Sequence, residues 1–220
     1  MMRSLGWIAA LLLGSATHAA LAREPMQPIS DATLNDWLEM GEEIETRIDG
    51  DLNGDGDPDT AYVVASPDVR TLHVQLSYRA EFDIGHQPAG SFKLEPDRLG
   101  PADLSINKGV LTVRDLTGGT TAMSAVYRYR AAMTKDGPRM RLIGLDAKVY
   151  SRTYAHDGDE MSWNVTTGDT ITTLLKIKGT GEDRTYDKLY TRKFKRPVRT
   201  IYMEDTPGAE EELVSVTKAK

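Results

Sequence analysis

Oxygen-bearing side chains recur at alternate positions between residues 51 and 59, around two glycines. The stretch reads Asp51-Leu52-Asn53-Gly54-Asp55-Gly56-Asp57-Pro58-Asp59. A hard divalent cation such as Ca²⁺ takes about six to eight oxygen ligands, and a short segment supplies them only by curling around the ion. The spacing predicts a Ca²⁺ site in which side-chain oxygens come from Asp51, Asn53, Asp55 and Asp59, and a backbone carbonyl from Asp57.

The loop departs from the EF-hand pattern at the position of the last ligand. Gly56 falls where an EF-hand also turns sharply on a glycine, because a residue without Cβ adopts positive φ at little cost. An EF-hand then closes with a bidentate Glu at its twelfth position. Here that position is Tyr62, inside the apolar run 61–64. A strand rather than a helix is therefore predicted to follow the loop.

The pattern Asp-x-Asn-x-Asp-Gly-x-x-Asp followed by a β-run resembles the calcium loop of FG-GAP and VCBS-type repeats. It is also similar to loops in dockerins and thrombospondin repeats. In FG-GAP proteins such repeats build the blades of a propeller. The chain holds one full copy, because the second candidate at 156–160 lacks the alternation and the β-branched run. A repeat propeller is therefore not predicted.

A second resemblance extends over most of the remaining chain. It is to a group of exported bacterial proteins and lipoproteins without an assigned activity, and it rests on Gly54-Asp55-Gly56 and on the segments 108–113, 127–130, 141–144 and 164–168. This resemblance implies an overall fold and an exported localisation. It implies no catalytic residues.

Residues 1–22 have the features of a secretory signal peptide. Arg3 supplies the positive start, 5–13 the apolar stretch, and 20–22 a cleavage site with small residues. The apolar run is shorter than the roughly 20 residues of a transmembrane helix. A retained N-terminal anchor is the alternative. We expect a periplasmic or secreted protein that is not stably inserted in the membrane after signal removal.

Cysteine is absent, so neither disulfides nor an acylated cysteine can contribute. The segment 23–204, predicted as a single β-rich calcium-binding domain, must be held by its core, by bound metal or by both. The net charge of −6 argues against nucleic acid or anionic lipid as the main partner. An envelope protein or glycan is the partner class left open.

The pattern of the chain predicts one helix followed by strands. Ser30 is placed to cap the helix, Ile29 and Leu34 have the spacing of a hydrophobic staple, and Gly41 is placed for the C-terminal turn. Beyond Gly41 apolar and polar residues alternate, with turns such as Asn107-Lys108-Gly109 between the runs. This predicts a mainly β fold, an antiparallel meander forming a sandwich or open barrel, with one N-terminal helix.

Two segments lack a regular pattern. Residues 81–104 contain several prolines and predict a long loop with one short strand around Phe92. Residues 205–220 contain Pro207-Gly208 and an acidic run at 210–212, and they predict a partly disordered acidic tail.

No catalytic residue is identified from the sequence. The histidines lack metal-ligand spacing, and the chain has no Gly-x-Ser-x-Gly elbow, although a triad assembled in space stays open. Asp115, Asp146 and Glu160 are available as glycosidase acids, but solvated charges on turns and strand faces are the simpler interpretation. The main hypothesis is an exported calcium-binding domain with a binding or structural role in the cell envelope. The alternative is an exported hydrolase acting on envelope glycans.

The stretch 186–196 interleaves basic and aromatic residues and has two interpretations. It is either a surface for a polyanion or an edge strand whose charges prevent edge-to-edge aggregation, and the second is favoured. Trp163 and Tyr154 likewise suggest either a sugar platform or, more simply, core aromatics.

Overall fold

A computed structural model describes residue 24 and residues 26–217 of the chain. The predicted signal peptide at 1–22 and the last residues of the predicted tail, 218–220, lie outside the described residues.

The described residues form two α-helices, eleven strands and two short 3-10 helices. The α-helices are α1 (Asp31–Asp36) and α2 (Ala209–Thr217), and the 3-10 helices are Gly181–Asp183 and Met203–Asp205. The strands are β1 (Glu43–Gly50), β2 (Asp59–Ala65), β3 (Arg70–Arg79), β4 (Ile84–Leu94), β5 (Asp103–Asn107), β6 (Val110–Gly118), β7 (Thr121–Thr134), β8 (Gly137–Ser151), β9 (Gly158–Asn164), β10 (Asp169–Lys178) and β11 (Thr185–Lys195).

Every strand pairs with its neighbour in sequence, except that β4 and β5 belong to different sheets. One sheet has the order β1-β2-β3-β4, and the other has the order β11-β10-β9-β8-β7-β6-β5. All of these pairs are antiparallel. The prediction of a mainly β fold, an antiparallel meander forming a sandwich or open barrel, is confirmed, and the meander divides into these two sheets.

Local chemistry explains the ends of these elements. Ser30 accepts a hydrogen bond from the Thr33 N–H and so caps α1, as predicted. At the β5–β6 turn Lys108 and Gly109 have φ of 50° and 70°. Two positive φ values in succession are what a tight hairpin turn requires, so the turn predicted at 107–109 is confirmed.

The core is one contiguous apolar cluster to which both sheets contribute. Leu72 and Val74 come from the four-stranded sheet, Leu111 and Tyr129 from the seven-stranded sheet, and Leu213 from α2. A smaller cluster of Ile29, Leu34 and Tyr62 holds α1 against β2. Trp163 is buried in the main cluster, which agrees with the core interpretation of this residue.

The prediction that residues 81–104 form a long loop with only a short strand around Phe92 is wrong in extent. Within 81–104, the strand β4 extends over Ile84–Leu94. Pro88 is tolerated because β4 is at the edge of its sheet and the pairing register shifts between Val74 and Gln75. Within the tail 205–220, α2 covers Ala209–Thr217 with Leu213 and Val216 buried against the core, and partial disorder of the tail stays a prediction.

A buried ionic cluster joins the two sheets. The guanidinium of Arg70 (β3) lies 2.7 Å from Glu45 (β1) and 2.9 Å from Asp115 (β6). All three side chains are at most 4% exposed. Asp115 is therefore not the solvated strand-face charge that its sequence context suggests, because a partner 45 positions away neutralises it.

Hydrogen bonds keep Glu45 ionised despite its burial. Burial by itself raises the pKa of Glu45, but bonds from Arg70, the Ala102 N–H and Arg98 outweigh that effect and hold the pKa below its ordinary value. The Ala102 N–H donates to Glu45 Oε1 at 2.7 Å. The guanidinium and the carboxylates of the cluster thus all have hydrogen-bond partners, as a buried ion pair requires.

Among the described residues, none of the helices combines the length and the apolar character needed to cross a membrane.

Candidate functional site

The predicted calcium loop connects β1 to β2. Gly50 pairs with Asp59 at the base of this hairpin, so residues 51–58 form the connection. Gly54 and Gly56 both have φ of +85°, a backbone conformation that L side chains rarely adopt. The two glycines therefore permit the tight curl that the alternating oxygens need.

Side chains within the loop hold its backbone in this curled shape. Asp51 accepts hydrogen bonds from the N–H groups of Gly54 at 2.6 Å and Gly56 at 3.0 Å. Asn53 Oδ1 accepts from the Asp55 N–H, and Asp55 Oδ1 accepts from the Asp57 N–H at 2.8 Å. The amide of Asn53 donates to Asp55 Oδ2 at 3.1 Å. Asp51, Asn53 and Asp55 are thus brought together, and each carboxylate keeps lone pairs for a further partner.

The carboxylate of Asp57 is bound by groups outside the loop. Arg79 (β3) donates to both of its oxygens, at 2.7 and 3.1 Å, and the Met26 N–H donates to Oδ1. The carboxylate of Asp57 is thus occupied by Arg79 and Met26, and its role as a backbone-carbonyl ligand stays a prediction. The Arg79 pair also ties the residues before α1 to the hairpin, since Arg79 donates to the Glu24 carbonyl as well.

Asp59 is fully buried beneath the loop. Its Oδ2 accepts from the Leu52 N–H, and its Oδ1 accepts from the N–H and the hydroxyl of Ser77. Burial raises the pKa of Asp59, these three hydrogen bonds lower it, the nearby charge of Asp55 raises it, and the net shift is upward. A cation in the loop would favour the ionised form of this carboxylate.

The oxygens of the loop provide part of the ligand set that a hard cation such as Ca²⁺ needs. Amide and carboxylate oxygens of Asp51, Asn53 and Asp55 are available at the loop surface, and Asp59 lies below them with most of its lone pairs already used. Among the described residues, however, no group of three or more His, Cys, Asp or Glu side chains is arranged to hold a metal ion. The ligand set of Asp51, Asn53, Asp55, Asp59 and the Asp57 carbonyl therefore stays a prediction.

A separate cleft of about 1000 Å³ opens between the sheets beside α2. Its apolar part includes Phe92, Met123, Tyr127 and Val214. Carboxylates line the rest, from Glu95, Asp97, Asp115, Glu204, Glu210 and Glu211. The sequence did not predict this cleft, since its lining comes from segments spread between residues 91 and 214.

The acids nominated for glycoside hydrolysis do not converge in that cleft. Asp115 lines it but is held by Arg70. Asp146 pairs with Arg128 at 2.6 Å, and Glu160 pairs with Lys148 and Lys188, in a groove on the outer face of the seven-stranded sheet. The hydrolase hypothesis stays a prediction that these contacts do not test.

The basic stretch forms β11, the outermost strand of the seven-stranded sheet, as the edge-strand interpretation expects. Several of its charges have partners. Lys188 lies 3.1 Å from Glu160, and Lys195 lies 3.4 Å from Asp169. Since these pairs offset much of the positive charge, they weaken the case for a polyanion surface. Tyr154 lies in the β8–β9 turn with φ of 54°.

Comparison of the chain with protein-family models, with curated proteins and with solved structures gives no match.

Proposed function

We propose that this chain is an exported, calcium-stabilised β domain with a binding or structural role in the bacterial cell envelope. The observation that carries the proposal is the curled β1–β2 loop, in which Asp51, Asn53 and Asp55 are brought together around two glycines of positive φ. The signal-like residues 1–22 support the proposed export to the cell envelope.

Calcium would serve as a staple for the hairpin. Asp51, Asn53 and Asp55 would bind it with side-chain oxygens and Asp57 with its carbonyl, while Asp59 sits beneath the loop. The loop already bears the carboxylates Asp51 and Asp55, and a divalent cation would offset their repulsion. With no cysteine in the chain, an ion at this hairpin would take the place that a disulfide has in many exported domains.

The first experiment measures unfolding of the signal-free chain with Ca²⁺ and with excess EGTA. Extracellular calcium modules have dissociation constants of about 10⁻⁴ to 10⁻³ M. At about 10 mM Ca²⁺ the folded state should therefore gain roughly 1.4 to 2.7 kcal/mol. That gain corresponds to a rise of about 3 to 10 °C in Tm for a chain of this size.

Matched variants localise the effect. Asp55→Asn keeps an oxygen to accept from the Asp57 N–H but removes the charge, and it should abolish most of the stabilisation by Ca²⁺. Asp68→Asn makes the same change at the exposed β2–β3 turn and should leave the stabilisation by Ca²⁺ intact. A Tm that does not respond to Ca²⁺ in the unmodified chain, with no heat of binding by calorimetry, would overturn the proposal.

A further inference from the structure

The cleft beside α2 has features of a binding site that the calcium loop does not share. Its volume of about 1000 Å³ is at the upper end of the range for small-molecule sites. Its wall includes Phe92 and Tyr127, whose ring centroids lie 4.9 Å apart in an edge-to-face arrangement. Met123, Val149 and Val214 are only partly buried and extend this apolar wall.

The carboxylates of the cleft are not all compensated. Asp115 pairs with Arg70, and Glu204 pairs with Arg139 at 2.7 Å. Glu95, Asp97, Glu210 and Glu211 are exposed, and within the described part of the chain none of them forms an ion pair. Lys93 is the one basic residue among the described residues that line the cleft.

The first turn of α2 does not offset the excess of negative charge in the cleft. The N–H groups at a helix N-terminus carry partial positive charge. Here the first turn carries the helix's own Glu210 and Glu211. The positive end of the helix is therefore already matched, and the mouth of the cleft stays negative.

We infer that this cleft binds a small organic cation with an apolar body, that is, a protonated amine joined to an aromatic or hydrocarbon group. The amine would lie among Glu95, Asp97, Glu210 and Glu211, and the apolar body against Phe92, Met123 and Val214. An ammonium near the aromatic rings gains a further attraction from their faces. An anionic ligand would meet uncompensated negative charge. A neutral apolar ligand would leave the carboxylates unused. This site goes beyond the proposed function, because it shares no residue with the calcium loop.

The probe for the test is dansylcadaverine, which carries an aromatic body, a flexible chain and one amine. Its N-acetylated form has the same apolar body without the charge. Fluorescence titration of the signal-free chain should show that the amine binds at least about tenfold more tightly than the acetylated form, since several surface carboxylates contribute. Equal binding of both forms would overturn the inference, and so would no binding of the amine into the millimolar range.

Variants locate the site. The double variant Glu210→Gln and Glu211→Gln should weaken binding of the amine by at least about threefold. The control changes Glu182→Gln and Asp183→Asn, which removes the same charge from the exposed 3-10 helix at Gly181–Asp183. It should leave binding unchanged. Equal weakening in both variants would mean that the net charge attracts the probe non-specifically, which contradicts a built site.

Two further variants separate probe binding in the cleft from loss of folding and from calcium binding. Val214→Lys adds an ammonium on α2, and it should abolish binding of the amine while the far-UV circular dichroism stays native. Asp55→Asn should keep full binding of the probe. In the unmodified chain, probe binding without a response to Ca²⁺ would overturn the proposed function alone, whereas a response to Ca²⁺ without probe binding would overturn the cleft alone.

Discussion

At the scale of single residues, Arg70 is a buried charge that links the two sheets. It compensates two buried carboxylates, Glu45 and Asp115, and also donates to the Glu95 carbonyl at 2.6 Å. Because the cluster connects β1, β3 and β6, one guanidinium fixes how the two sheets meet. Removing one member of a buried ion cluster is costly, since its partner stays buried without compensation.

We predict that Arg70→Met destabilises the fold by about 3 to 5 kcal/mol. The measurement is the free energy of unfolding in urea. The matched control is Arg114→Met, whose pair with Asp103 is at least half exposed on both sides and whose loss should cost less than about 1 kcal/mol. Equal losses in the two variants would show that the Arg70 cluster contributes no more than a surface pair.

The same cluster predicts an acid sensitivity. The pKa of Glu45 lies below its ordinary value of 4.5 in the folded state. The unfolded chain therefore takes up this proton first, so the stability that Glu45 contributes is complete above about pH 4.5 and is lost as the pH falls through the folded pKa. In Glu45→Gln that contribution is absent, so the difference in unfolding free energy from the unmodified chain should shrink as the pH falls below 4.5.

Glu43→Gln is the control for this pH dependence. Glu43 lies on the same strand, is 68% exposed and pairs with Arg98 at 3.3 Å. The unfolding free energy of Glu43→Gln should differ from that of the unmodified chain by the same amount at every pH in the acid range. A constant difference between Glu45→Gln and the unmodified chain at every pH would contradict the prediction.

At the scale of elements, α2 closes the end of the core between the sheets. Leu213 is 1% exposed, and Glu212 pairs with Arg196 at 2.5 Å. Arg196 in turn lies 4.0 Å over the ring of Trp163. A helix of this length is marginal in isolation. Its stability comes from these tertiary contacts, and they also keep its first turn at the mouth of the cleft.

We predict that Leu213→Ala lowers the unfolding free energy by about 2 to 5 kcal/mol, because the substitution leaves a cavity in the core. Ser215→Ala on the exposed side of the same helix should change it by no more than about 0.5 kcal/mol. Urea unfolding measures both. A cost for Leu213→Ala as small as that of Ser215→Ala would support the disordered tail that the sequence suggests.

At the scale of the whole molecule, one core joins the two sheets. The contiguous apolar cluster contains Val63 and Leu72 from the four-stranded sheet together with Val113 and Leu142 from the seven-stranded sheet. The Arg70 cluster links the same sheets through charge. The two sheets should therefore unfold as a single cooperative unit.

Trp163 provides the means to check this cooperativity. In a Trp37→Phe background of the signal-free chain, tryptophan fluorescence reports on the seven-stranded sheet alone, since Trp163 lies in β9. Far-UV circular dichroism reports on both sheets. We expect the two urea transitions to coincide within error, as for a two-state domain. Midpoints that differ would show that the sheets unfold separately.

Much of the fold was readable from short stretches. The alternation of apolar and polar residues beyond Gly41 predicted strands, and the Asn-Lys-Gly turn predicted the β5–β6 hairpin, because side-chain period and turn conformation depend on neighbouring residues. The length of β4 was underestimated because Pro88 is tolerated only at an edge, and no local pattern tells which strand ends at an edge. The helix α2 was missed because its apolar residues matter only once the core is there to cover them.

By itself, the sequence determined the identity and spacing of the oxygens in the β1–β2 loop, the period of the strands and the lack of disulfides. Each of these depends on residues close together in the chain or on composition. Only the tertiary structure decided that Asp115 is buried against Arg70, that Asp57 pairs with Arg79, and that carboxylates from the segment after β4, from β6 and from α2 surround one cleft. These pairings join residues tens of positions apart, so burial and charge compensation arise only when the sheets pack.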